Sequence, residues 1–338
     1  MDDKTKVIVP SKRFDKLCEI YKPSQAQIPA SLTVFDIAGL VKGASQGDGL
    51  GNSFLSHIRA VDGLFQVVRA FDDQEIIHVE GNVDPVRDLQ IIFDELILKD
   101  MEFASKTIEL AERYMKKSPP NKAKEYKQEL ETAKKVLAHL EDNKRVINGQ
   151  WSNAEIDVIN SMKLLTAKPS VYLVNVTEED YVSNSDNQRV KDIKQWVSEN
   201  SPGDVVMPIS ISLEERLAIL DTEAEKAQEL ESLSVQSALP SAITELRKSL
   251  RLISFFTCGP KEVREWTIRQ GVKAPEAAGV IHNDLQKTFI QAQVYKYDDV
   301  LVCNGDESSL KSNGKLLQKG KDYVVEDGDI ILFKVSSL

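Results

Sequence analysis

The sequence predicts an α/β protein: a largely parallel sheet with helices between its strands, an inserted helical segment, and a smaller β-rich domain at the end. Three observations carry this. Short apolar runs at 32–35, 63–69, 170–175 and 205–209 alternate with amphipathic stretches, as strand–helix–strand units require. Residues 88–148 keep helical spacing instead. From Ile253 onward, short β-like segments recur between turn signals such as Asn313-Gly314 and Asp327-Gly328. A chain of 338 residues has room for two or three such domains.

Taken in order, Lys6–Pro10 reads as a strand, Ser11–Tyr21 as an amphipathic helix, and Leu32–Phe35 as a strand that delivers Asp36. The next loop holds Gly39, Gly43, Gly47, Gly49 and Gly51; such a segment packs no core and is expected to be mobile and close to a ligand. Asn52–Asp62 reads as a helix and Gly63–Arg69 as a buried strand. Leu89, Ile92, Phe93, Leu96, Leu98 and Phe103 then recur at helical spacing, with a break at Ser118-Pro-Pro-Asn121 and a second helix over Lys122–Asn143. That predicts an antiparallel helical hairpin standing out from the sheet. Its mixed charge suits a solvated arm without chemistry of its own, and also a docking surface. The alternation resumes with strand Ser170–Asn175, a helix around Val190–Glu199 that carries Trp196, strand Val205–Ile209, and helices over 213–234 and Ser237–Leu252. In the last domain Ser254–Thr257, Phe289–Tyr295, Tyr323–Val325 and Ile330–Phe333 read as strands, and the basic stretch 261–273 as a short helix.

Composition narrows the classes. Hydrophobic content of 41% and charged content of 28% are ordinary for a globular protein. No apolar run reaches the roughly 18–20 residues of a membrane span, and the N-terminus lacks a basic-then-apolar signal pattern. Three scattered cysteines, Cys18, Cys258 and Cys303, indicate neither a disulfide framework nor a zinc site, which suits a reducing cytoplasm. A net charge of −10 argues against nucleic acid covering the whole surface but leaves room for a local basic patch.

Chemistry enters at Asp36 and Gly39. A carboxylate at the end of a strand, with a glycine three residues on, suits a site where Asp36 holds Mg²⁺ through water and the Gly39 N–H approaches a γ-phosphate. Alone, the D-x-x-G pattern is more often a strand ending in a turn. The backbone cradle that normally grips the other phosphates, G-x-x-x-x-G-K-[ST], does not occur in the 338 residues.

The stretches DIAGLVKGA, GDGLGNSFLSHIRAVD, HVEGNVDPVRD and LLTAKPSVYLVN, with FFTCGPKEVREWTIRQGVKAPEAAGVIHNDL and GKDYVVEDGDIILF, resemble the Obg-like ATPase (YchF) subfamily of P-loop NTPases over nearly the whole chain. The resemblance implies a Ras-like P-loop NTPase sheet over 1–87 and 151–252, an inserted helical arm over 88–150, and a β-grasp-like TGS domain over 253–338. A family member would ordinarily begin with a strand, a phosphate loop and a first switch. The expectation is therefore an N-terminally incomplete nucleotide domain, with neighbouring strands left unpaired where a central strand would lie.

The same resemblance implies binding and hydrolysis of ATP, in preference to GTP, with Mg²⁺, by a ribosome-associated regulator of translation or stress that meets the ribosome or its RNA through the TGS domain and the helical arm. Leu40 stands where Ras-like GTPases keep a water-orienting glutamine, and leucine cannot orient water. His57 is one candidate for that task, although a histidine on a helix is more often structural. Asn175, Val176 and Glu178, in NVTE, stand at the base-reading position; Glu178 is one methylene longer than the guanine-reading aspartate, and Val176 replaces a lysine. Read alone, NVTE is a strand end that caps a helix. Ser210 falls at the last base-binding loop. Lys261, Arg264 and Arg269 are expected to share faces of a short helix and to meet ribosomal RNA, against the simpler account of a solvated face. The alternative function is a catalytically inactive scaffold that binds a partner or RNA, because the phosphate loop does not occur in the 338 residues.

Overall fold

The structure, a computed structural model, describes residues 4–37, 56–73, 75, 76, 78, 80–184 and 187–336. They divide into two units, one formed by residues up to 36 together with 247 onward, the other by residues 37–246.

The first unit opens with an antiparallel ribbon of β1 (Lys4–Ile8) and β3 (Ser31–Phe35), in which Lys4 faces Phe35 and Ile8 faces Ser31. Between them lie α1 (Lys12–Tyr21) and β2 (Ala26–Ile28). Ser11 starts α1 by accepting a hydrogen bond from the Phe14 N–H at 3.2 Å, and Lys22, at φ 45°, ends it in the left-handed region. Its buried stripe is Phe14, Leu17 and Cys18.

The second unit is built on three parallel strands, β4 (Leu64–Arg69), β5 (Ser170–Asn175) and β6 (Val205–Ile209), in that order across the sheet. The long connection between β4 and β5 holds α2 (Pro85–Met115), α3 (Pro120–Glu141) and α4 (Asn153–Met162). Asp84 caps α2 and Pro85 occupies its first turn, where a missing N–H costs nothing. Ser118-Pro-Pro ends one helix and starts the next, so α2 and α3 fold back as the predicted hairpin, packed through Phe93, Ile97, Ala104, Ala133, Val136 and Leu140. Between β5 and β6 come α5 (Glu178–Ser183) and α6 (Gln188–Asn200); after β6 come α7 (Ile211–Ile219), α8 (Glu223–Leu233) and α9 (Leu239–Ser249). Central β5 is buried on both faces from Val171 to Val174, which is why its sequence is a continuous apolar run.

Two buried polar anchors fix this unit. Asp100 of α2 accepts hydrogen bonds from the N–H groups of Leu165 (2.8 Å) and Thr166 (2.7 Å) and from Thr166 Oγ1 (2.7 Å). Burial pushes its carboxyl up to about 6 despite these bonds. Arg145 pairs with Asp204, both almost fully enclosed, and Arg145 also donates to the Lys168 carbonyl.

The chain then returns to the first unit with β7 (Leu252–Cys258), β8 (Glu262–Arg269), α10 (Ala274–Ile281), α11 (Asn283–Lys287), β9 (Phe289–Tyr295), α12 (Tyr297–Val302), α13 (Glu307–Ser312), β10 (Leu317–Lys319) and β11 (Ile330–Val335). Six strands make one mixed sheet in the order β10-β9-β11-β7-β8-β2, with β11 parallel to β7. One face packs Phe255, Ile268, Ala277, Ala292 and Ile331 around α10; the other packs Phe256, Val263 and Ile330 against α1 and the α12–α13 region.

Four expectations are corrected. The stretch expected as a basic helix is β8, because Val263, Trp266, Thr267 and Ile268 suit a pleated surface and seven residue pairs tie it to β7. Residues 4–36 group with the last domain rather than with the sheet that ends at Asn175: β2 pairs with β8, and the α1 stripe shares a core with Phe256 and Val263. Consequently β3 and β4 belong to different sheets. Tyr323–Val325 is no strand; Val324 makes only an isolated bridge to Lys273.

Candidate functional site

Loops after the carboxyl ends of parallel strands are the usual place for a ligand in such a sheet. Here those ends are level, Arg69 lying beside Asn175 and Asn175 beside Ile209. The Asn175 carbonyl accepts from the Ala70 N–H at 2.9 Å, and the Val176 N–H donates to the Ile209 carbonyl at 2.9 Å. Asn175 Oδ1 accepts from the Ile211 N–H at 3.1 Å, so this side chain ties the end of β5 to the first residue of α7. Ser210, buried, caps α7 by accepting from the Leu213 N–H (3.4 Å), with its Oγ 3.0 Å from Ser212 Oγ. The fold thus brings Asn175, Val176 and Ser210 together.

Thr177 caps α5, accepting from the Asp180 N–H at 3.1 Å, so NVTE does serve as a helix start. The reciprocal half of a capping box is not formed there, since the third helical residue is Asp180. Glu178 opens α5 and pairs with Arg216 of α7, which also pairs with Glu229 of α8. The Glu178 carboxylate is therefore already engaged by a guanidinium. Sequence reasoning missed Arg216; its place six residues after Ser210, one helical turn or two into α7, was the available signal. Arg69 was missed as well: it donates to the carbonyls of Phe71 (3.1 Å), Asp73 (3.1 Å) and Ile76 (3.0 Å) and so shapes the loop after β4.

The other predicted residues lie elsewhere. Asp36 is exposed and ends the β1–β3 segment of the first unit. Gly39 and Leu40 lie outside the described residues. His57 is half-buried in a helical stretch over 56–60, next to Ile58, which is buried with Leu96 and Leu165. Lys261, Arg264 and Arg269 do not share a helix face. Arg264 and Arg269 are an odd number of residues apart on β8 and point to opposite sides of the sheet. Arg264 lies 3.8 Å over the Trp266 ring, itself stacked on Phe255. A cleft of about 610 Å³ opens beside Tyr181, Asn184, Lys191, Lys194 and Ser237; of the predicted residues only Val176 lines it.

These features define an α/β protein with a parallel sheet, a helical hairpin inserted between two of its strands, and another unit built on a mixed sheet. Obg-like ATPase 1 of Saccharomyces cerevisiae is 58% identical over 336 residues, covering 99% of this chain and 84% of that protein. Obg-like ATPase 1 of Rattus norvegicus is 48% identical over 337 residues, covering 99% of this chain and 83% of that protein. The solved structure of the Schizosaccharomyces pombe YchF GTPase superposes with a TM-score of 0.87 at 50% identity, covering 98% of this chain and 87% of that one. Residues 252–336 match the family model of the YchF GTPase C-terminal domain, described as a protein of unknown function (DUF933). The chain belongs to the Obg-like ATPase (YchF) family, a nucleotide-binding family of P-loop proteins.

Proposed function

We propose that this chain reads the base of an adenine nucleotide in preference to guanine, through Asn175, the Val176 main chain and the loop at Ser210. The observation that carries this is the Glu178–Arg216–Glu229 arrangement. Guanine recognition needs a free carboxylate to accept from its N1–H and amine, whereas Glu178 is turned onto Arg216, and adenine has no N1–H to offer. The names of the relatives differ on this point, ATPase for those of yeast and rat and GTPase for the fission-yeast structure.

The 338 residues contain no lysine-bearing phosphate loop, and Asp36 offers one exposed carboxylate. No group of three or more His, Cys, Asp or Glu side chains gathers among the described residues. They do not by themselves form a cage for Mg²⁺, and no step is routed through the ion. Triphosphate binding by this chain is accordingly weak and turnover negligible. His57 as the water-positioning group, Gly39 at the γ-phosphate, a TGS assignment for the last domain, a cytoplasmic location and ribosome association belong to this proposal as inheritances of the family.

Titration calorimetry with ATP·Mg²⁺ and GTP·Mg²⁺ tests it. ATP binding by these 338 residues weaker than about 100 μM, with GTP weaker still, is expected, because phosphate held without the charged hydrogen bonds of a lysine-bearing loop is held weakly. Low-micromolar ATP affinity would overturn the phosphate part. GTP preferred by the unaltered chain would overturn the base part, and Glu178→Asp with Val176→Lys should move preference toward GTP.

A further inference from the structure

The cleft of about 610 Å³ in the second unit falls within the size range of small-molecule sites, and the base loop does not account for it. It runs beside β6, the outer strand of the parallel sheet among the described residues. Part of its lining is α6, where Lys191 and Lys194, three residues apart, share a face with Val190. Another part is the segment after α8, which brings the hydroxyls of Ser234, Ser237 and Ser241. These parts are braced without a ligand. Tyr181 Oη donates to the Gln236 carbonyl at 2.8 Å and so joins α5 to the segment after α8. Buried Glu214 accepts from Ser237 Oγ and from the Ala238 N–H, each at 2.7 Å. A cleft held open in this way binds without first having to order its walls.

Charge selects an anion. Lys191 and Lys194 stand against one lining carboxylate, Asp180, which accepts from Asn187 Nδ2 at 3.2 Å. Lys194 is exposed and makes no ion pair among the described residues. A surplus of one positive charge, on a chain of net −10, matches a single carboxylate and falls short of what a row of phosphates calls for. The apolar lining sets the rest of the ligand. Val190, Met207, Pro208 and Val235 are aliphatic, and the Tyr181 ring has its hydroxyl engaged, so a flexible chain suits the surface better than a flat base does. A peptide strand is disfavoured by the edge itself. The Ile209 carbonyl accepts from the Val176 N–H, so Val205, Met207 and Ile209 turn their backbone polar groups toward β5, and Val206 and Pro208 turn theirs to the open side. Pro208 has no N–H to give there, a common way for an edge strand to refuse pairing.

We propose that this cleft binds a small aliphatic monocarboxylate, its carboxylate on Lys191 and Lys194 and its chain along Met207 and Pro208. The proposal rests on the cleft alone and is independent of the adenine reading. The test is a titration of the full chain with decanoate, followed by NMR of ¹³C-methyl-labelled methionine. Met207 lines the cleft, whereas Met101 and Met115 belong to α2 and Met162 to α4. A saturable shift of the Met207 methyl, with the other three still, is expected at a Kd of about 0.1–1 mM. Lys191→Gln with Lys194→Gln should weaken binding about 5- to 10-fold, and unmoved Met101 and Met162 resonances will show that this variant is folded. Decanol, with the same chain and no charge, should bind at least about 5-fold more weakly than decanoate. Lys122→Gln with Lys124→Gln, on exposed lysines of α3, should bind as the native chain does. No Met207 shift up to about 5 mM decanoate, or equal shifts at Met101, Met115 and Met162, overturns the proposal. Native-like affinity in the cleft variant, an equal loss in the α3 variant, or equal binding of decanol overturns it as well. Displacement of decanoate by adenosine would give the cleft to the base instead and also overturn it.

Discussion

Asp100 fastens the hairpin arm to the segment that feeds β5, and its replacement should show how much that fastening contributes. The carboxylate is fully buried and accepts three hydrogen bonds, two from the backbone N–H groups of Leu165 and Thr166. Asp100→Ala leaves both N–H groups buried and unpaired, at about 1–3 kcal/mol each, so a loss of roughly 2–6 kcal/mol is expected. Asp100→Asn keeps one acceptor oxygen and turns an amide N–H₂ toward a donor, for a smaller loss of roughly 1–3 kcal/mol. The pH dependence separates this account from simple loss of packing. Burial raises the Asp100 carboxyl from 3.8 to about 6, so its contribution to stability is complete below pH 4 and is lost as pH rises through 6. Between pH 7 and pH 5 the native chain should therefore gain about 1 kcal/mol over Asp100→Asn, which cannot titrate. Urea unfolding, followed by tryptophan fluorescence in a Trp266→Phe background, confines the signal to Trp151 and Trp196 of the second unit. Equal stability of native and Asp100→Ala chains at pH 7, or a native-minus-Asn difference that does not change with pH, would refute the reasoning.

Asp204→Ala should destabilise the second unit by about 3–5 kcal/mol, because it strands the enclosed Arg145 guanidinium; the same unfolding assay measures it. Gly328 holds φ 94°, and an added Cβ would lie 2.8 Å from Nη1 of Arg13, whose Nη2 bonds the Asp327 carboxylate. Gly328→Ala should lower the stability of the first unit by roughly 1–2 kcal/mol, read from Trp266 fluorescence. Burial pushes the Cys258 thiol up to about 12, so iodoacetamide at pH 8.5 should label half-buried Cys258 slowly in the native chain, and peptide mass spectrometry showing rapid labelling would contradict that shift.

Much of the second unit could be read from sequence because its signals are local. Strands Ser170–Asn175 and Val205–Ile209 have the predicted limits, and the hairpin breaks where Ser118-Pro-Pro requires it. Asn175 and Ser210 are grouped in the sequence only through the family resemblance; the fold brings them together because β5 and β6 end level, Asn175 beside Ile209. What the sequence alone determined is therefore periodicity, caps and turns, which act over a few residues, together with membership of the Obg-like family. Only the tertiary structure decided the partners. Val263–Ile268 became a strand because β7 was available to pair with it, although its charges can also be read at helical spacing. The α1 stripe chose the Phe256 and Val263 core, more than 200 residues away in sequence, over the sheet nearer to it in the chain. Glu178 was turned away from its expected role by Arg216, 38 positions along the chain. Such choices follow from which buried surfaces and charges meet once the chain has folded, and a periodic pattern carries no record of that.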